Sequence, residues 1–162
     1  MAGKIETHHD LRVYQKAFQA AMQVFDLTKA FPREDTYSLS DQIRRSSRSV
    51  CANLTEAWRK RRYEAAFVAK LSDAESEAAE TQVWLEFAVK CGSIRPEDGA
   101  SLCQAYDEIL TTIVGMINHP ETWVLGYRDK ARTQGEKLWV TQSPPHLVTM
   151  SPCQHPEAGC AF

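Results

Sequence analysis

The sequence predicts an all-α protein, an antiparallel up-and-down four-helix bundle over residues 1–126 with a mobile, largely disordered C-terminal tail over residues 127–162. Three observations lead there. Between Asp10 and Ile94 there is one proline, Pro32, and one glycine, Gly92; a span so poor in loop-punctuating residues favours long helices. Across that span apolar residues recur at steps of three and four, the spacing of one helix face. From Pro120 onward the composition changes, with five of the seven prolines concentrated there.

The first helix is expected from about Asp10 to Lys29. Asp10 is placed to cap it, since a carboxylate accepts the free backbone N–H groups of a first turn. Leu11, Tyr14, Phe18, Met22 and Phe25 form its apolar stripe, and Phe31-Pro32 ends it because proline disfavours helix in the preceding residue. The second begins near Tyr37 or Ser38 and carries Leu39, Ile43, Val50, Leu54 and Ala57 inward. Ser46 and Ser47 lie among them, small enough to let a neighbouring helix approach, and Arg61 or Arg62 is the expected end. The third runs from about Tyr63 to Cys91 on Phe67, Leu71, Ala74, Ala78, Leu85 and Ala88. Val83, Trp84 and Phe87 widen its stripe beyond what a monomeric bundle needs, which points either to a generous core or to self-association. Gly92 stops it, because glycine takes the left-handed conformation without steric cost. The fourth opens at Arg95-Pro96-Glu97-Asp98, where proline suits a first turn and acidic groups suit the positive helix end. Leu102, Tyr106, Ile109, Leu110, Ile113 and Ile117 carry it to about Asn118. Four such helices on short connections favour the up-and-down arrangement. Trp123, Val124 and Leu125 remain apolar enough to pack on the end of the bundle. Beyond Arg128 a short helix near Tyr127–Leu138 is the one further element expected.

With 162 residues, 43% hydrophobic and 25% charged, the chain has the size and composition of one soluble domain with a single core. No run of about 18 apolar residues exists, so no membrane span is expected. The N-terminus has no apolar signal centre, and the five cysteines are odd in number. A reducing cytoplasm is the expected location.

Enzymatic constellations are poor. The seven glycines are scattered, so no phosphate loop is formed. The five histidines lie at the extreme N-terminus or beyond Asn118, which leaves no Ser/His/Asp or Cys/His grouping. His8-His9 is a terminal pair of the kind usually solvated. Cys153, His155 and Cys160 lack the paired spacing of a zinc site. No catalytic group, metal or cofactor is expected.

Charge is where function shows. The net charge of −2 conceals 12 Lys+Arg against 7 Asp+Glu over residues 1–62, and 3 against 10 over residues 63–118. Helix two holds Arg44, Arg45, Arg48, Arg59, Lys60, Arg61 and Arg62. On a helical wheel, Arg44, Arg48, Arg59 and Arg62 fall at about 100°, 140°, 160° and 100° from Ile43, one flank away from the apolar stripe. Such a line could follow a phosphate backbone. It could equally pair in solvent with the acidic third helix, through Asp73, Glu77 and Glu80 or through Glu64, Glu75 and Glu86, which stabilises little per contact. A pI of 6.2 makes any single nucleic-acid contact weak. Asp41, Asn53 and Glu56 read as polar partners between helices.

One segment goes beyond composition. Phe31-Pro32, Glu34 and the run from Tyr37-Ser38-Leu39 through Asp41-Gln42, Arg44-Arg45 and Ser49 to Asn53-Leu54-Thr55-Glu56-Ala57 resembles the four-helix-bundle family first named for proteins encoded in intervening sequences of bacterial 23S ribosomal RNA. The opening Asp10–Ala17 and closing Met116–Trp123 segments are similar too, so the resemblance covers about residues 8–125. Ser38 and Ala57 stand where that family usually has glycine, and both replacements suit helix continuation. The resemblance implies a homopentamer without enzymatic activity. It also implies kinship with the accessory variability determinant of diversity-generating retroelements, which binds a reverse transcriptase and nucleic acid but is far more basic. By motif it carries over Asp41, Gln42, Arg44, Arg45, Ser49, Asn53 and Glu56, in packing and assembly rather than chemistry. The function expected is a non-enzymatic oligomeric adaptor that contacts RNA, DNA or a nucleic-acid-bound partner through pooled arginine surfaces. The alternatives are a retroelement accessory protein that binds the reverse transcriptase, and a purely structural interaction module.

Overall fold

A computed structural model describes residues 5–32 and 38–126. Four helices follow in order: α1 (Arg12–Thr28), α2 (Leu39–Arg59), α3 (Glu64–Lys90) and α4 (Pro96–Asn118), with short 3-10 turns at His8–Asp10 and Pro120–Thr122. No strand occurs among the described residues. The expected helix at 127–138, the tail and its Cys153, His155 and Cys160 lie outside the described residues.

Each helix packs on its neighbours in sequence, and α1 closes the ring on α4. Contacts between helices fix the directions. Ser46 meets Thr81 while Asn53 meets Lys70, so α2 and α3 run antiparallel. Phe25 and Thr28 meet Arg44, while His8 feels Arg59, so α1 and α2 do too. Gln82 reaches Cys103 and Asp107 from α3 to α4. The up-and-down bundle is therefore what the chain forms.

The core is one cluster in which Ile43, Leu54, Phe67, Leu71, Tyr106, Ile109 and Ile113 are sealed from solvent. Buried polar residues line the α2/α3 seam. Ser46, Ser47 and Thr81 are buried, the Ser46 and Thr81 hydroxyls lie 2.9 Å apart, and each also reaches a carbonyl one turn back. Hydroxyls with partners avoid the cost of an orphaned polar group while letting two backbones come close. The Tyr106 hydroxyl faces Ser47 and Thr81 without reaching either in hydrogen-bonding geometry, and burial holds its phenol well above the ordinary tyrosine range.

Three expectations are corrected. First, Leu11 is buried as expected, but α1 itself turns a different face inward. Val13, Ala17, Ala20, Ala21, Val24 and Thr28 are buried, whereas Phe18 and Met22 are 52% and 45% exposed, and Tyr14 and Phe25 half-buried. Alanines bring α1 close to its neighbours, which leaves no room inside for large rings. Second, Asp10 caps the preceding turn and not α1: its carboxylate accepts the Thr7 and Glu6 amides at 2.8 and 3.0 Å, which lowers its pKa. The helix starts two residues later, at Arg12. Third, α2 ends at Arg59, so Lys60, Arg61 and Arg62 belong to the turn before α3. The α3 stripe from Phe67 to Ala88 is buried as expected, but Val83 and Phe87 point outward and do not widen the core.

Candidate functional site

The arginine flank divides when the side chains are followed. Arg44 is committed to the fold: its Nε donates to the Thr28 hydroxyl at 2.7 Å and its guanidinium lies 5.0 Å from the Phe25 ring centre. Arg61 is likewise held. It stacks 3.2 Å over the Trp58 ring, donates to the Trp58 carbonyl at 2.9 Å, and accepts the Leu125 amide on its own carbonyl. Partial burial lowers its pKa. These two arginines tie α2 to α1 and to the segment after α4.

Arg45, Arg48, Arg59 and Arg62 are exposed and have no ion-pair partner among the described residues. Lys60 is exposed beside Glu56 at 3.8 Å. The solvated pairing of a basic α2 with an acidic α3 is not what connects the helices. The ion pair that crosses this seam has the opposite polarity: Glu56 of α2 meets Lys70 of α3 at 3.1 Å, and Lys70 also bonds Asp73 at 3.0 Å and the Asn53 amide oxygen at 3.3 Å. Of the motif residues, Asn53 and Glu56 act as the inter-helix partners expected of them. Asn53 also donates to Ser49 at 3.4 Å. Gln42 is half-buried on the α3 side, and Asp41 is exposed.

Near the arginines, two residues of the expected α1 stripe, Tyr14 and Phe18, join the His8-His9 pair outside the core. His8, His9, Tyr14 and Phe18 form a ring ladder at the start of α1, with neighbouring centroids 4.0 to 6.2 Å apart. Cys51 of α2 sits half-buried near it, its thiol pushed up to about 11 by desolvation and thus poorly nucleophilic at neutral pH. No group of three His, Cys, Asp or Glu side chains among the described residues could hold a metal ion. No described helix is long and apolar enough to cross a membrane.

A four-helix bundle with polar partners at the α2/α3 seam and arginines facing outward defines the class. The motif order agrees with it. The profile of the 23S rRNA-intervening sequence proteins matches residues 9–115, and the chain belongs to that family. A solved structure from Bacteroides thetaiotaomicron, described as a protein of unknown function from the S23 ribosomal protein family, is 32% identical with a TM-score of 0.60. The likeness covers 65% of this chain and 95% of that one. No curated protein matches.

Proposed function

We propose that this protein is a non-enzymatic, self-assembling adaptor whose exposed arginines contact the phosphate backbone of RNA or DNA. The observation that carries the reading is the division of the flank. Two arginines are spent inside the fold, while Arg45, Arg48, Arg59 and Arg62 stand exposed without a carboxylate partner among the described residues. Exposed guanidiniums on a rigid helix and its terminal turn suit phosphate oxygens, which they engage in forked geometry. One copy offers few charges, and the overall acidity opposes tight binding. Several copies in one particle pool weak contacts into a useful avidity, which is why self-assembly belongs to the reading.

The test is fluorescence anisotropy with a labelled RNA oligonucleotide and a labelled DNA duplex over a salt series. The intact protein is expected to bind at low salt and release steeply as salt rises. Each phosphate-contacting arginine lost is expected to weaken binding and reduce the salt slope by about 1, so Arg45→Glu, Arg59→Glu and Arg62→Glu together abolish most of it. Absence of binding at low salt, or binding indifferent to all three changes, overturns the nucleic-acid part and leaves a protein-interaction module.

A further inference from the structure

The two ends of the bundle differ. At one end α1 finishes and α4 opens, and the cations Lys29 and Arg95 are each paired, with Asp26 and Asp98. At the other end α1 begins, α2 turns into α3, and α4 finishes. The turn there is a run of four cations, Arg59, Lys60, Arg61 and Arg62, followed by Tyr63. Arg61 is held on Trp58, while Arg59, Lys60 and Arg62 are exposed. Tyr63 is 71% exposed, more open than any other large apolar side chain among the described residues.

The backbone beneath these side chains is fixed. The Tyr63 amide donates to the Lys60 carbonyl at 3.0 Å, the Tyr63 carbonyl accepts from Phe67 at 2.9 Å, and the Arg61 carbonyl accepts from Leu125 at 2.9 Å. The Tyr63 ring itself has no hydrogen-bonding or ring partner among the described residues. On the α1 side, the His8 and His9 rings lie 4.0 Å apart, and both stand edge-on to Tyr14, which orients them. His8 lies close enough to Arg59 to feel its charge. Desolvation first, then His9 and Arg59, lower the His8 pKa against the opposing pull of Asp10, so the ring is neutral at neutral pH. Rings therefore flank the open arginines on two sides, the histidines by Arg59 and Tyr63 by Arg62.

The carboxylates of this end are largely engaged elsewhere. Asp10 accepts the Glu6 and Thr7 amides, Glu56 pairs with Lys60 and Lys70, and Glu121 lies 3.3 Å from His119. Glu64 stands exposed beside Tyr63.

Arginines engage the phosphates of any nucleic acid, but exposed rings have a use only where bases are exposed too. In a duplex the base faces are covered by their neighbours. In a single strand they are open and stack on aromatic side chains beside a cationic track. The four helices also end together here, so none projects to enter a major groove. We propose that this end of the bundle binds single-stranded nucleic acid, with bases stacked on Tyr63 and on the His8-His9 pair and the phosphates between them held by Arg59 and Arg62. This rests on the arginine–phosphate reading above and adds the strandedness of the ligand and the rings that select it.

Fluorescence anisotropy of the whole chain tests it, with labelled oligouridylate, oligothymidylate and a duplex of the same length, at about pH 8 where imidazoles are uncharged. Charge alone favours the duplex, whose phosphates are denser, so tighter binding of the single strands is expected to come from their bases. A duplex bound as tightly overturns the proposal. The tighter of the two single strands identifies the natural one as RNA or DNA. Tyr63→Ala and His9→Ala alter exposed sites, and circular dichroism verifies their fold. Each is expected to weaken single-strand binding about fivefold or more without changing its salt dependence, and Tyr63→Trp to restore it. Arg59→Gln is expected instead to reduce the salt slope by about 1. Ring variants that bind like the parent overturn the stacking and leave the arginine–phosphate reading standing. Failure of every probe to bind at low salt overturns that reading and this inference with it.

Discussion

Helices α2 and α3 share the most extensive seam in the bundle, yet their outer faces are opposite in kind. α2 buries Ile43, Val50 and Leu54 and turns Arg45, Arg48, Glu56 and Arg59 to solvent. α3 buries Phe67, Leu71 and Leu85 but shows solvent a row of small residues that ends in Val83 and Phe87. The first face is what a helix needs beside water or a polyanion. The second is what a helix needs beside another protein surface, since large apolar side chains exposed together mark interaction sites. Charge separates the same way, with an excess of basic residues before Tyr63 and of acidic residues from Tyr63 to Asn118. Two helices that cooperate inside the bundle thus turn unlike surfaces to the outside.

The largest test of that contrast compares the two sides of α3. Leu71 is fully buried, and Leu71→Ala is expected to cost about 2–5 kcal/mol through lost contacts and an unfilled cavity. Val83→Ala is expected to stay within about 0.5 kcal/mol, as surface changes do, when both are measured by urea unfolding at low protein concentration. A comparable loss at both sites would mean that Val83 already has a partner inside its own chain, and the contrast would fall.

The fold was legible because the chain withholds glycine and proline where helices run and supplies them where helices stop. Pro96 opens α4, and Gly92 takes a positive φ of 77° just past α3. The errors share one physical origin. On α1 the large residues Tyr14, Phe18, Met22 and Phe25 make a clean helical stripe; the inner face is half alanine, whose value lies in close approach rather than in bulk. The arginine flank misled for a related reason. Position on a helical wheel gives direction but not reach, and Arg44 is long enough to bend back over Phe25 and Thr28 of another helix. Arg61 alone offered a local cue, Trp58 three residues before it. The end of α2 at Arg59 had no proline or glycine to announce it.

A second test concerns how tightly α3 is held from inside. Gly99 of α4 lies where a Cβ would come within 2.3 Å of Val89 Cγ2 and 3.4 Å of Ile94 Cδ1. Val89 is β-branched and stiff at its first torsion, so it yields poorly. Gly99→Ala is expected to cost about 1–3 kcal/mol as an overpacked contact. Gly115, on the same helix, has open space where its Cβ would stand. Gly115→Ala is expected to gain up to about 1 kcal/mol from helix propensity. Thermal unfolding of the two variants should therefore move in opposite directions. A neutral Gly99→Ala would show that the α3/α4 seam has slack.

The smallest expected effect lies where the two helices meet at the surface. Lys70 of α3 bonds Asp73 and Glu56, and those bonds, with that to Asp73 foremost, raise its pKa above the ordinary value. A lysine whose folded pKa exceeds its unfolded one contributes stability that is complete below the unfolded value and lost as pH rises through the folded one. Lys70→Met keeps an apolar stem and removes the charge. At neutral pH its melting temperature is expected to fall, but by less than Gly99→Ala, because exposed ion pairs contribute little. The gap from the parent should close as pH is taken past the ordinary lysine value of about 10.4. A gap that persists in alkali would assign the effect to the packing of the stem between α2 and α3. A gap that closes would show that Glu56 and Lys70, and not the arginines of α2, carry the electrostatic contact between these helices, leaving Arg45, Arg48 and Arg59 for partners outside the chain.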